Sequence, residues 1–194
     1  MARWTVKGLL QSTAKLTKWR ERGYSSSKSR HVVKVIPYAG TNMFVMQQEH
    51  FGLTVNAHHI VNLCFYDVKI TYKEIMPLDF FMVVPYQNRN WYIEKPDLSK
   101  TPFRCRCTCP DFYFRFAYWN WKNGAIFGPK PRQYVRKTRT RPRVNPNGYP
   151  GFCKHIHNGL LLMQSNNWTN LKKTPWYLAY PDWERKRDEL VGYE

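Results

Sequence analysis

Acidic residues are scarce in this chain. Its 194 residues contain 13 Asp and Glu against 31 Lys and Arg, which gives a formal net charge of +18 at pH 7. No acid occurs from Phe112 through Pro181, a stretch that carries twelve Lys and Arg. A surplus of this size predicts an anionic partner, either nucleic acid or the acidic surfaces of other proteins. Because the positive charges repel one another, we also expect other protein subunits around the chain, in a large assembly that offsets the repulsion.

The motifs of several enzyme classes are missing as well. The sequence has no His-Glu-x-x-His pair, no phosphate-binding glycine loop, and no His-x-Glu combined with Pro-Cys-x-x-Cys as zinc deaminases require. No Ser/His/Asp set is suggested by spacing, and carboxylates that could act as general bases are rare. We therefore expect a protein that is not an enzyme.

Long apolar runs are absent too. No stretch of eighteen apolar residues occurs, so we expect no transmembrane helix and no membrane partner, and no secretory signal is recognisable. Residues 1–30 contain eight Lys or Arg and one acid, with serines at 25–27. Mitochondrial transit peptides share this composition. We favour a basic N-terminal arm held against a partner, in which residues 9–22 form either a short basic helix or an extended segment.

The cysteines that are present fall at metal-ligand spacing. Five is an odd number, which argues against a disulfide framework and for a reducing compartment. Cys107 and Cys109 are separated by one residue, and after a spacer of 43 residues so are Cys153 and His155. Three thiolates and an imidazole form a ligand set of tetrahedral structural zinc. The sequence therefore predicts one structural Zn²⁺ per chain, with no catalytic role.

Cys105 is an alternate ligand. It alternates with Cys107 and Cys109, and an extended strand directs such residues to one face. Cys105 can therefore replace one of the pair or lie beside the site as a spare thiol.

His157 is the second alternate. It follows Cys153 by four residues and shares its face if a helix already includes Cys153, whereas His155 is the ligand if both precede the helix. We favour His155. His58 and His59 are strand neighbours with opposite directions, so we expect no shared ion there, and we assign His50 no role.

The order Cys-x-Cys, spacer, Cys-x-His resembles the SWIM-type zinc finger. Residues 107–112 resemble its first half and residues 153–155 its second, although the spacer is longer than usual for the family. The resemblance covers 103–165 and implies a β-β-α unit in which Cys107, Cys109, Cys153 and His155 bind the metal. The chain is also similar to SWIM-like proteins encoded among the structural genes of tailed bacteriophages. That similarity implies a virion component of the head, neck, tail or baseplate, assembled in the host cytoplasm.

Two further functions stay open. SWIM-type fingers are associated with DNA binding, which implies a nucleic-acid-binding module. The composition of the N-terminal arm favours an organellar ribosomal protein in the mitochondrial matrix as a third alternative.

A basic insertion separates the two halves of the predicted zinc site. Residues 124–151 are rich in Gly and Pro and are expected to form a loop. We predict that its seven cationic side chains contact phosphates or an acidic protein face. They are Lys130, Arg132, Arg136, Lys137, Arg139, Arg141 and Arg143. Ahead of the insertion, Phe112 to Trp121 is strongly aromatic; we expect core and interface packing there, with base stacking as the alternative.

The fold class expected is α+β. An antiparallel β meander of five or six strands precedes a zinc-bound, SWIM-like β-β-α unit with a long basic insertion and extended arms. Turn signals at Pro37 and Pro85 are expected to end strands, Asp111 to cap the helix after the first ligand pair, and a second helix to span Cys153 to Gln164. The expected regions are the arm 1–30, the β region 31–100, the zinc unit 101–165 with insertion 124–151, and an aromatic tail 166–194.

Overall fold

The computed structural model describes residues 4–16, 31–51, 58–73, 80–138, 140 and 143–170, which form two antiparallel sheets and several helices. The strands are β1 His31–Tyr38, β2 Met43–Phe51, β3 His58–Tyr66, β4 Ile70–Thr71, β5 Phe81–Tyr86, β6 Arg89–Glu94 and β7 Phe103–Cys107. The helices are α1 Val6–Ala14, α2 Pro110–Phe112, α3 Tyr118–Lys122 and α4 Lys154–Ser165. A 3₁₀ turn, Ala39–Thr41, joins β1 to β2, and a π-helical turn, Tyr113–Ala117, joins α2 to α3.

The larger sheet has four strands in the order β1-β2-β3-β7. Its first three strands form an antiparallel meander, so the predicted α+β class with a β meander is confirmed. Strand β7 returns to pair with β3, which sets Leu63 opposite Cys105 and Val61 opposite Cys107. These side chains are buried on one face, as the alternation along both strands predicts.

The smaller sheet has the order β4-β6-β5, so the strands divide between two sheets where one meander was expected. Strands β5 and β6 form a hairpin whose turn residues, Gln87 and Asn88, have φ of 52° and 58°. Positive φ at both positions is the geometry that matches the twist of a two-residue hairpin.

The expected strand ends at Pro37 and Pro85 are wrong. Pro37 lies within β1 opposite Phe44, and Pro85 lies within β5 opposite Asn90. Both strands are at the edge of their sheets, where a residue without an N–H can face away from the ladder.

Helix α1 packs into the core of the same chain. Thr5 caps its start by accepting a hydrogen bond from the Gly8 N–H at 3.1 Å, and Val6, Leu9 and Leu10 are buried. The helix predicted over 9–22 thus begins earlier, and its described part ends at Ala14. Residues 4–16 of the predicted N-terminal arm therefore contribute part of the core, while Gln11 and Lys15 are exposed.

Several predictions lie outside the described residues. They concern residues 1–3 and 17–30 of the arm, Arg139 and Arg141 of the insertion, and the tail from 171 to 194. Among the helices that are described, none is long and apolar enough to cross a membrane.

Candidate metal centre

The first ligand pair follows the end of β7. Cys107 is the last residue of that strand, and Thr108 ties the next turn back to β3. The Thr108 N–H donates to the carbonyl oxygen of Ile60 at 3.0 Å, and the Ile60 N–H donates to the Thr108 hydroxyl oxygen at 2.9 Å. The backbone between the two cysteines is therefore held against the sheet.

Cys109 caps the helix that comes next. Its backbone is extended, and its sulfur accepts a hydrogen bond from the Phe112 N–H at 3.3 Å. Pro110 occupies the first helical position, where its missing N–H costs nothing. The prediction that Asp111 caps this helix is wrong, because the helix begins at Pro110 and Cys109 is its cap. The Asp111 carboxylate pairs instead with the buried Arg115 guanidinium at 3.0 Å.

The second pair is positioned by the segment just before α4. The Asn120 side chain exchanges two hydrogen bonds of 2.8 Å with the backbone of Gly151, and the Phe152 N–H donates to the Thr13 hydroxyl oxygen at 3.2 Å. Cys153 then stands immediately before α4, and His155 lies in the first turn of that helix. Contacts from α1 and α3 thus fix where the second pair enters the site.

The fold brings Cys107, Cys109, Cys153 and His155 together. Their ligand atoms all lie within 4.8 Å of one another, and the Cys107 sulfur is 3.9 Å from Nδ1 of His155. Tetrahedral zinc, with bonds of about 2.3 Å to sulfur, places neighbouring sulfurs about 3.8 Å apart. The three cysteines are at most 4% exposed. Within the part of the chain that the structure describes, this is the group of His, Cys, Asp and Glu side chains that can hold a metal ion.

The alternate thiol, Cys105, is outside this group. It points to the same side of β7 as Cys107 but is two residues further back, where the Asn120 amide nitrogen lies 3.7 Å from its sulfur. Complete burial raises the pKa of the Cys105 thiol, which keeps it neutral. Cys105 is therefore a core residue beneath the site.

The alternate imidazole, His157, is also outside the group. It is fully buried against the Phe152 ring, at 6.4 Å between centroids, and burial lowers its pKa to about 3. Cys153 has an extended backbone ahead of the helix, so the helical four-residue relation to His157 does not apply. His155 therefore turns toward the first pair.

The pKa values of the three thiols are shifted in opposite directions by their mutual contacts. Cys109 has its pKa lowered because its sulfur accepts hydrogen bonds from the thiols of Cys107 and Cys153 and from a backbone N–H. The same contact with Cys109 raises the pKa of Cys107, while burial raises that of Cys153. Only one thiolate is stabilised without a cation, whereas a bound metal ion stabilises all three together.

Two histidines that the sequence analysis did not assign to the site lie in contact with it. His50 and His59 are paired across β2 and β3, and their ring centroids lie 5.4 Å and 4.7 Å from that of His155. Burial and the neighbouring His155 lower the pKa of His59. Only the register between the two strands places them there. His58 points away from the site, as expected for the strand neighbour of His59, and its Nε2 lies 3.0 Å from the Glu49 carboxylate.

A buried glutamine links these histidines to α4. Gln48 is fully buried, its side-chain oxygen lies 3.3 Å from Nε2 of His50, and its amide donates to the carbonyl oxygen of Gly159 at 3.1 Å. The ring packed against His155 is thereby connected to the helix that carries His155. Partners of this kind orient metal ligands and tune their affinity.

The basic insertion is fastened at its far end. The Asn145 amide donates to the carbonyl oxygens of Arg115 and Tyr149, at 3.0 and 2.8 Å, and its oxygen accepts from the Tyr149 N–H. The Arg115 carbonyl lies in the π-helical turn. Of the predicted cations in the described residues, Lys130, Arg132, Lys137 and Arg143 are exposed and Arg136 is half-buried.

Comparison of the chain with protein-family models, with curated proteins and with solved structures found no match. The resemblance to SWIM-type fingers and to phage proteins therefore stays a prediction from the motif, whereas the group of three cysteines and one histidine that can hold a metal ion is a feature of the fold itself.

Proposed function

We propose that this protein is a non-enzymatic structural subunit of a large assembly, in which one zinc ion fastens β7 to α4. The observation that carries the proposal is the closed ligand group of Cys107, Cys109, Cys153 and His155. Thiolate and imidazole ligands favour zinc over the harder divalent cations, which prefer oxygen. Four protein ligands also leave no coordination position for water or substrate, unlike catalytic zinc sites.

The location of the site supports a fastening role. One ligand pair lies at the end of a strand in the larger sheet, and the other lies at the start of α4. The segment between them contains the basic insertion, so a metal ion would close the base of that insertion. Structural zinc contributes roughly 10–16 kcal/mol to the folding of isolated finger peptides. A fraction of that free energy is enough to hold a strand and a helix together.

An assembly is the setting that best suits the charge. A net charge of +18 on 194 residues needs compensation from a partner. The similarity to SWIM-like proteins of tailed phages makes a virion component the specific form of the proposal. A SWIM-type nucleic-acid-binding module is the second candidate, favoured by the exposed cations of the insertion.

Metal analysis of the purified full chain tests the fastening role. We expect about one zinc per chain, retained through gel filtration. Cys107→Ser and His155→Ala should lose the metal and yield poorly folded protein. Cys64→Ala and His58→Ala, which change a cysteine and a histidine outside the ligand group, should keep it. A folded wild-type chain without bound metal would refute the proposal.

Sedimentation of lysates from the source cells tests the assembly. We expect the chain to travel with particles much larger than itself and to stay with them through a moderate salt wash. Recovery of the chain only as a free monomer would contradict this part of the proposal and leave the metal site intact.

A further inference from the structure

A group of aromatic rings is exposed beside the metal centre. In the helical segment that follows the first ligand pair, Phe112 and Phe116 are buried, but Tyr113 and Phe114 are 38% and 48% exposed. The insertion adds Tyr134, which is 46% exposed and whose ring centroid lies 4.6 Å from that of Phe114. The ring centroid of Tyr113 lies 5.2 Å from that of Phe114. We call Tyr113, Phe114 and Tyr134 the ring cluster.

Two cations precede Tyr134 in the insertion. Arg132 is exposed two residues before Tyr134, and Lys130 is exposed and lies 4.2 Å from the centre of the Trp121 ring. The acid closest in sequence to the ring cluster is Asp111, which is paired with the buried Arg115. The insertion and the helical segment before it therefore present exposed cations and exposed aromatic rings.

We propose that the ring cluster and the cations of the insertion bind a single-stranded nucleic acid, with bases stacked on Phe114 and Tyr134 and phosphates against Lys130 and Arg132. Rings interleaved with Lys and Arg are how proteins bind single strands without reading their sequence. In a duplex the base faces are already stacked and cannot reach the rings. An acidic protein is the competing partner, because it would contact the same cations and pack against the same rings.

This inference deepens the proposed function by naming its anionic partner. It rests on that function because the metal would hold the two ends of the insertion together. Zinc content is therefore measured on every preparation used for binding. Loss of binding in a zinc-loaded chain counts against the nucleic-acid partner alone, whereas absence of zinc counts against the metal proposal.

Fluorescence anisotropy with the full chain provides the test. The probes are labelled single strands of about 15 nucleotides, one of DNA and one of RNA, and a DNA duplex of equal length. Titrations are repeated between about 50 and 200 mM salt, because phosphate contacts give a linear dependence of log affinity on log salt. We expect both single strands to bind more tightly than the duplex, and the difference between DNA and RNA to identify the physiological strand.

Two kinds of variant separate stacking from charge. Phe114→Ala and Tyr134→Ala should each weaken single-strand binding by about tenfold at fixed salt, with an unchanged salt slope. Lys130→Gln and Arg132→Gln should instead reduce the slope by about 0.7 each. The matched controls are Tyr72→Ala, an exposed ring just after β4 with the Arg89 guanidinium 5.7 Å from its centre, and Lys34→Gln, an exposed lysine on β1. Both controls should bind as the wild type does.

Three outcomes would overturn the proposal. One is no binding of any probe by the zinc-loaded chain at the lowest salt. Another is equal binding of duplex and single strand with no effect of Phe114→Ala, which indicates phosphate contact alone. The third is competition by polyglutamate as effective as that by single-stranded DNA, which indicates an acidic protein as the partner.

Discussion

The segments that form the two sheets of this protein are brought together in different ways. The larger sheet presents Cys107 and the His50–His59 pair to the metal centre, and α4 reaches the same centre through His155. The smaller sheet contributes ordinary apolar side chains such as Met82 and Ile93 to the core. Its hairpin is defined by a local turn, whereas the strand and helix at the metal centre come from segments separated by a long insertion. We therefore expect a metal ion bound at this centre to stabilise the larger sheet more than the smaller one.

Metal removal should produce the largest difference in stability between the two sheets. Chelation leaves three buried thiols that cannot all be ionised, so we expect a stability loss of several kcal/mol, less than the roughly 10–16 kcal/mol seen in isolated zinc-finger peptides. Hydrogen exchange should show β7 and the start of α4 losing protection first, and the β5–β6 hairpin last. Equal loss of protection in both sheets would show that the metal supports the whole core. Unchanged protection everywhere would show that no metal fastens the fold.

A methyl group at Gly151 should destabilise the region around the candidate metal centre. A Cβ there would lie 2.5 Å from the Thr13 hydroxyl oxygen and 2.9 Å from the Phe116 ring. Overpacking of this kind costs about 1–3 kcal/mol, and the affected backbone leads directly into Cys153. Urea unfolding of Gly151→Ala should show this loss together with weaker metal retention.

Gly40→Ala is the matched control, because a Cβ at Gly40 meets nothing within 4 Å. We expect its unfolding free energy and zinc content to equal those of the wild type. If the two variants behave alike, the contact between α1 and the second ligand pair does not position the site.

The sequence predicted the ligand group well because it depends on short spacing. Cys107 and Cys109 are close on any backbone, and so are Cys153 and His155. The alternation of Val61, Leu63 and Phe65 likewise predicted one buried face, because a strand has a period of two. The closeness within each ligand pair and the alternation along one strand need no knowledge of how distant segments pair, whereas the meeting of the two pairs depends on the fold.

The parts that the sequence could not predict depend on pairing between strands. The proximity of His50 and His59 to His155 follows from the β2–β3 register, which no local pattern specifies. The division into two sheets has the same origin. Pro37 and Pro85 indicate strand ends only if their strands are internal, and edge position is a property of the whole sheet.

The histidines beside the site should affect metal affinity more than overall stability. Gln48→Ala removes the buried link between His50 and α4. Loss of a direct hydrogen-bond partner of a ligand weakens metal binding by about 10–100-fold, and because Gln48 reaches His155 only through the His50 ring, we expect the lower end of that range. Competition with a chelator of known affinity measures the change. Gln47→Ala, at the neighbouring and less buried position of β2, is the control and should keep the wild-type affinity. An equal effect of both substitutions would mean that strand stability, and not the link to His50, is responsible.

A substitution in the β5–β6 hairpin turn should give the smallest change in stability, and that change should be confined to the smaller sheet. Gln87 has φ of 52°, a conformation that Asn adopts more readily than Gln. Gln87→Asn should therefore stabilise the protein by about 0.5 kcal/mol in urea unfolding, with unchanged zinc content. The same substitution at Gln47, within β2, should give no such gain. A change in metal affinity in Gln87→Asn would show that the smaller sheet is coupled to the metal centre, and the two sheets would then have to be treated as one cooperative unit.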